Sequence, residues 1–256
     1  MAVLYETEGH VRIITIDRPE ARNAVNMETR AELESAWSSF KDDDEAWVAI
    51  LTGAGAQAFS AGADLKELNP AERASESGIR PAFGYITRDF YTDKPMIAAL
   101  NGLAFGGGLE MALACDLRIA ADHAQLGLTE ARWALLPGGG GTQRLPRSVP
   151  RAVALEMLMT GQPISAQRAY EIGLVNRVTT SEQLMPIALE LAQLICGNGP
   201  LAVRAAKCAV DQGADIALED ALLLEQRFST ALFATEDATE GPRAFKEKRL
   251  PDFRAK

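Results

Sequence analysis

The sequence predicts an α/β fold followed by a helical C-terminal segment. Short apolar runs at residues 47–52, 96–100 and 117–121 have the length of buried strands and fall short of helices. An apolar stretch led by Gly106-Gly107-Gly108 separates the last two runs. Strands separated by helices imply parallel pairing through right-handed crossovers. From Arg151 onward the pattern is mostly helical.

The elements follow in order. Val3-Leu4-Tyr5 and residues 11–16 flank a turn at Glu8-Gly9 and read as a hairpin. Asp17-Arg18-Pro19-Glu20 breaks the second strand. Residues 27–41 place Leu33, Trp37 and Phe40 at helical spacing, with charges between them. Residues 47–52 form a strand closed by Gly53-Ala54-Gly55. Asp64 is placed to cap a helix, with Glu67 three positions on. Residues 69–81 are polar and expected to be mobile. After the strand at 117–121, Leu184, Ile187, Ala188, Leu191, Leu194 and Ile195 share one helical stripe. Leu218, Leu222, Phe228 and Leu232 mark a further apolar face, read either as intramolecular packing or as an oligomer interface.

At 256 residues the chain can bury one sizeable core, as a single domain with an appended segment or as two domains. A hydrophobic content of 47% with 24% charged residues is ordinary for a globular protein. A net charge of −9 argues against a nucleic-acid surface, which requires a basic face. The three cysteines, Cys115, Cys196 and Cys208, show no Cys-x-x-Cys spacing and read as reduced core residues. Residues 1–23 carry strand pattern and charges rather than a basic start and an apolar stretch. No apolar run approaches the length of a membrane span. The expectation is a soluble, cytoplasmic protein.

Several motifs fail on context. Gly53-Ala54-Gly55-Ala56-Gln57-Ala58 follows a strand, but no helix clearly begins there and no acidic strand end follows at the distance a dinucleotide ribose needs. No glycine loop precedes Lys-Ser or Lys-Thr. Ala58-Phe59-Ser60-Ala61-Gly62 resembles a serine elbow without its first glycine, and only His10 and His123 could act as its base. His10 falls at the hairpin turn and His123 in a connection. Neither has metal-ligand spacing, and no metal is expected.

Two glutamates carry the chemistry. A triple glycine opening a helix leaves backbone N–H groups bare, and these favour negative charge. Glu110 follows Gly107 by three residues, so its side chain leans back over the same helix end. Glu130 stands shortly before Pro137 and the four glycines 138–141. Taken singly, each glutamate reads as an ordinary acidic residue in a first helical turn. Donors for a developing oxyanion beside carboxylates for proton transfer point to enolate chemistry on an activated carbonyl.

Four ordered blocks extend that reading: Ala58-Phe59-Ser60-Ala61-Gly62-Ala63-Asp64-Leu65-Lys66-Glu67; residues 94–102 running into Phe105-Gly106-Gly107-Gly108-Leu109-Glu110; Glu130 with residues 136–145; and residues 240–249. Together they resemble the enoyl-CoA hydratase/isomerase (crotonase) superfamily over nearly the whole chain. The resemblance implies a spiral of ββα units over residues 1–195 and a C-terminal helical oligomerisation segment over 196–256. It also implies subunits joined as homotrimers, or as hexamers made of two trimers. The N–H groups of Ala63 and Gly107 match the oxyanion-hole donors, and Glu110 and Glu130 the catalytic carboxylates. Ala61, Asp64, Leu65, Lys66 and Gly138 match CoA and substrate contacts, as do Phe245 and Lys248 near the C-terminus.

The implied activity is hydration of a 2-enoyl-CoA thioester, with Glu110 as base and Glu130 as proton donor. Neither metal nor redox cofactor is implied, and the partner is the acyl-CoA substrate itself. Double-bond isomerisation, or hydration of a carnitine-type or aromatic acyl group, stands as the alternative. A non-catalytic CoA-ester or RNA-binding protein is a rival from another class. Ala134 departs from the glycine found in many hydratases. It follows the bulky Arg132-Trp133, which is expected to reshape the acyl pocket, and residues 69–81 fall where the family varies its lid.

Overall fold

A computed structural model describes residues 1–64, 82–88 and 90–256. The expected helix cap at Asp64 and Glu67, the polar stretch 69–81, and site candidates Leu65 and Lys66 involve residues outside the described ones. The order is β1 (Val3–Glu8), β2 (Val11–Ile16), α1 (Met27–Asp42), β3 (Val48–Gly53), β4 (Ala58–Ser60), β5 (Met96–Leu100) and β6 (Leu103–Phe105). There follow α2 (Gly107–Ala114), β7 (Leu117–Ala121), β8 (Gln125–Gly127), a 3₁₀ turn (Glu130–Trp133), α3 (Gly141–Ser148) and α4 (Arg151–Thr160). The chain closes with β9 (Ile164–Ser165), α5 (Ala166–Glu171), β10 (Arg177–Thr179), α6 (Ser181–Cys196), α7 (Pro200–Gly213), α8 (Leu218–Leu232) and α9 (Glu236–Glu247).

A six-stranded sheet runs β1-β2-β3-β5-β7-β10, and a four-stranded sheet runs β4-β6-β8-β9. The first hairpin is antiparallel, and every later pairing in the larger sheet is parallel. Consecutive strands alternate between sheets: β3, β5 and β7 join the larger one, and β4, β6 and β8 the smaller. Such strand pairs belong to the expected crotonase-type ββα spiral, and α2 completes the unit that β5 and β6 begin. The second strands, together with β9 and β10, escaped the sequence reading. At two or three residues each, they are too short to show a period of two.

β3 is buried along its whole length because both sheet faces are covered. Ala49 and Leu51 point to the side of α1, where Leu33, Trp37 and Phe40 are fully buried. Val48 and Ile50 point the other way, onto Leu184, Ala188 and Ala192 of α6. Each large side chain so buried contributes roughly 1.5–3 kcal/mol. The α6 stripe therefore holds except at Leu194, which is 57% exposed. Among the described residues, no single helix is long and apolar enough to cross a membrane.

The Gly53–Ala58 connection is a braced turn. Asn23 Nδ2 donates to the carbonyls of Ala54 and Ala58, and Asn101 Nδ2 donates to those of Gly55 and Ala58. This fixes where β4 ends and the Ala61–Ala63 segment begins. At the other end of the chain, Asp237 accepts from the N–H groups of Arg254 and Ala255, and Glu240 accepts from that of Asp252. Phe253 is thereby held against the α6 side of the core. On α8, Leu218 and Leu222 are exposed and Phe228 and Leu232 partly so, leaving that face uncovered within one chain. Cys115 and Cys208 are buried, Cys196 is half-buried, and all three are free thiols.

Candidate active site

Two backbone segments meet at the end of the smaller sheet. Val25 pairs with Ala63 in a single parallel bridge: its N–H donates to Gly62 O, and Asp64 N–H donates to Val25 O. In such a ladder the bracketed residue turns its own N–H to the opposite side. Ala63 N–H therefore points away from Val25, and Ala63 lines a cavity of about 670 Å³. Gly107 is the first residue of α2, so its N–H has no acceptor within the helix. Gly106 ahead of it has φ 52° and ψ −124°, a conformation that side-chain-bearing residues avoid. Gly62 packs on this turn: a Cβ there would stand 3.1 Å from Gly107 N.

Glu110 sits one turn into α2, 3% exposed. Its Oε1 accepts hydrogen bonds from the N–H groups of Gly139 (2.7 Å) and Gly141 (2.8 Å). Gly141 opens α3, so this carboxylate rests at a helix N-terminus. Burial pushes its pKa above the ordinary carboxylate range, opposed by the Gly141 and Gly139 N–H groups and by the charges of Arg144 and Arg88.

Glu130 opens the 3₁₀ turn and lines the same cavity. Its Oε2 is buried with no hydrogen-bond partner among the described residues. Burial pushes its pKa up to about 7; its own N–H opposes this and the Glu110 charge adds to it. The two carboxyls thus have contrasting surroundings, one cradled by donors and one left without them. Such a contrast suits two carboxyls to different proton-transfer roles.

The structure brings Ala61, Ala63, Gly107, Glu110, Glu130 and Gly138 together around the cavity. It does not bring Asp64, Phe245 or Lys248 to it. Asp64 pairs with Arg18, Oδ2 to Nη2 at 3.3 Å. Phe245 lies on α9, 87% exposed, and Lys248 caps that helix with φ 56°. Trp133 and Ala134 line the cavity as expected, whereas Arg132 packs against Gly161. Ala134 adopts a left-handed conformation, φ 55°, which explains why a glycine suits that position.

The sequence reading missed Phe83 and Arg88 in the wall, and the role of glycines 138–141. A Cβ on Gly107 would fall 2.4 Å from the Phe83 ring, so that ring covers the start of α2. The glycine run was legible in principle: four glycines opening a helix form a donor cluster, and a buried acid requires one. Among the described residues, no group of three His, Cys, Asp or Glu is placed to hold a metal.

The Enoyl-CoA hydratase/isomerase family model matches residues 6–256. The (E)-benzylidenesuccinyl-CoA hydratase of Thauera aromatica is 43% identical over 254 residues, covering 99% of each chain. The short-chain-enoyl-CoA hydratase of Clostridium acetobutylicum is 40% identical over 252 residues, covering 96% of this chain and 95% of its own. The crystal structure of enoyl-CoA hydratase from Bacillus anthracis superposes with a TM-score of 0.93 at 39% identity, covering 100% of both chains.

Proposed function

The chain belongs to the enoyl-CoA hydratase/isomerase family, and on that premise we propose that it is an enzyme adding water across the C2=C3 bond of a 2-enoyl-CoA thioester. The observation that carries the reading is the convergence of Glu110, held by two N–H donors, and Glu130, whose Oε2 has no partner among the described residues, on a cavity that also presents Ala63 and Gly107.

The N–H groups of Ala63 and Gly107 receive the thioester oxygen. As water adds at C3, negative charge moves onto that oxygen, and each donor contributes on the order of 3 kcal/mol to its stabilisation. Glu110, held by the Gly139 and Gly141 N–H groups, takes a proton from the attacking water. Glu130, protonated up to about pH 7, delivers one to C2. Solvent exchange then resets both carboxyls. Polarisation comes from peptide groups, so the reaction as written needs no metal or redox cofactor. A double-bond isomerase requires only one shuttling carboxylate, and the pair favours hydration.

The cavity wall favours a functionalised acyl group. Phe83, Phe105 and Trp133 line it, with Arg88 as its one cationic residue among those described. An aryl-bearing enoyl chain fits that lining, consistent with the relative from Thauera aromatica. We further read residues 1–195 as the catalytic core and 196–256 as the segment that joins subunits, in a cytoplasmic homotrimer or pair of trimers. The uncovered apolar face of α8 supports that assembly. In it, Phe245 and Lys248 would reach CoA from a neighbouring subunit.

The test follows loss of the conjugated enoyl absorbance with crotonyl-CoA and a panel of aryl and branched enoyl thioesters. Turnover that collapses in both Glu110→Gln and Glu130→Gln is the expected result. No turnover on any member, or wild-type rates in both variants, overturns the reading.

A further inference from the structure

The glycine loop that holds Glu110 is itself held. Arg144, on the first turn of α3, donates from Nη1 to Gly139 O (3.1 Å) and to Thr87 O (3.0 Å). Arg88 donates from Nη2 to the neighbouring Gly138 O. Two successive carbonyls are thus drawn outward, and the Gly139 N–H points inward to Glu110. The guanidinium also fits tightly: Gly140 has φ 101°, and a Cβ there would fall 2.1 Å from Arg144 Nη1. Thr87 is buried and its Oγ1 donates to Phe83 O, so Arg144 ties the loop to the segment carrying Phe83 and Arg88.

The charge is placed unevenly. Arg144 and Arg88 act on Glu110, whereas neither contributes to the shift at Glu130. The other groups in play are the two carboxyls themselves and the Cys115 thiol near Arg144, which burial holds neutral with a pKa pushed up to about 12.

We propose that Arg144, assisted by Arg88, is a positioning residue that locks the Gly138–Gly141 loop with its N–H groups on Glu110 and so makes Glu110 the proton acceptor of the pair. The proposal rests on the hydratase reading, in which Glu110 is the base. A base displaced by a loosened loop loses on the order of 10²-fold in rate. The sign of the pH effect follows from charge. Removing a cation raises the Glu110 pKa, so a higher pH is needed to ionise it.

The experiment compares wild type with Arg144→Met, Arg144→Lys and Arg88→Met. In Arg144→Met, kcat on the best thioester of the panel falls about 10²-fold while KM stays within about threefold. The acidic limb of its kcat profile moves to higher pH, and Arg144→Lys restores much of that movement. A second readout needs no turnover: ¹³C-glutamate NMR of the free protein, with the Glu110 resonance assigned by its loss in Glu110→Gln. The midpoint of that resonance rises in Arg144→Met and, by less, in Arg88→Met, which carries the test if the Arg144 variant does not fold. Unmoved midpoints in the folded variants overturn the proposal, as does a wild-type kcat with an unmoved acidic limb. A wild type inert on every thioester, with the NMR midpoint still rising, sinks the hydratase reading and leaves the positioning role standing.

Discussion

Glu130 Oε1 stands 3.1 Å from the point where a Cβ on Gly106 would lie. The carboxyl rests on the bare Cα of the residue that precedes Gly107, so the proposed proton donor is located by a missing side chain. Gly106→Ala would press on Glu130 and strain a backbone at φ 52°. The expected result is a loss of about 10²-fold in kcat and of roughly 1–3 kcal/mol in stability. Kinetics and denaturant unfolding measure the two separately. Unchanged kcat would show that Glu130 does not depend on this seat.

The pKa of Glu130, raised to about 7, sets the basic limb of activity. Its acid form is the reactive one, so kcat falls as pH rises through about 7, and Glu130→Gln removes that limb with most of the rate, some 10²–10⁴-fold. Stability follows the same sign. A carboxyl whose pKa is higher folded than unfolded binds its proton more tightly when folded. Its contribution is complete below the unfolded value and lost as pH rises toward 7. Thermal melts of Glu130→Gln should therefore gain on wild type between pH 5 and pH 8, and a constant gap would contradict the assignment.

Asn23 is fully buried with φ 54°. Its side chain donates to Ala54 and Ala58 carbonyls and accepts from Arg18 N–H. Asn23→Ala orphans these groups, although Asn101 still serves Ala58, and it forces alanine into a left-handed conformation. A loss of at least about 3 kcal/mol is expected, because each buried orphan costs about 1–3 kcal/mol. Urea unfolding decides it, and a loss below 1 kcal/mol would mean that the turn is braced elsewhere.

Trp133 lines the cavity yet is 67% exposed, a position from which an acyl group could cover it. Trp133→Ala should lower kcat/KM for cinnamoyl-CoA by about tenfold while changing crotonyl-CoA little, the range that apolar pocket contacts supply. Equal effects on both thioesters would dismiss the aryl preference.

Much of this was legible in sequence for identifiable reasons. Residues 48–53 and 96–100 are apolar because both sheet faces are covered, and that produces an unmistakable run. Glu110 and Glu130 stood out because glycine runs next to acids leave few other uses for the donors. β4, β6 and β8 were missed because three-residue strands leave no periodic trace. Arg144 was missed for a different reason: its partners are carbonyl oxygens, which every residue carries, so no side-chain pattern announces them. Phe83 and Arg88 lie just past the polar stretch, in a segment with neither strand nor helix periodicity. Leu194 misled because a helical stripe drawn too wide reaches the solvent edge.

The groups aimed at Glu110 and the two proposed for the thioester oxygen are all peptide N–H groups. No point substitution short of proline deletes such a donor; only a change in the course of the main chain moves it. Glycines 106–108 and 138–141 therefore confine variation to the surrounding wall, where Phe83 and Trp133 can be exchanged to suit a new acyl group while the proton-transfer machinery stays put.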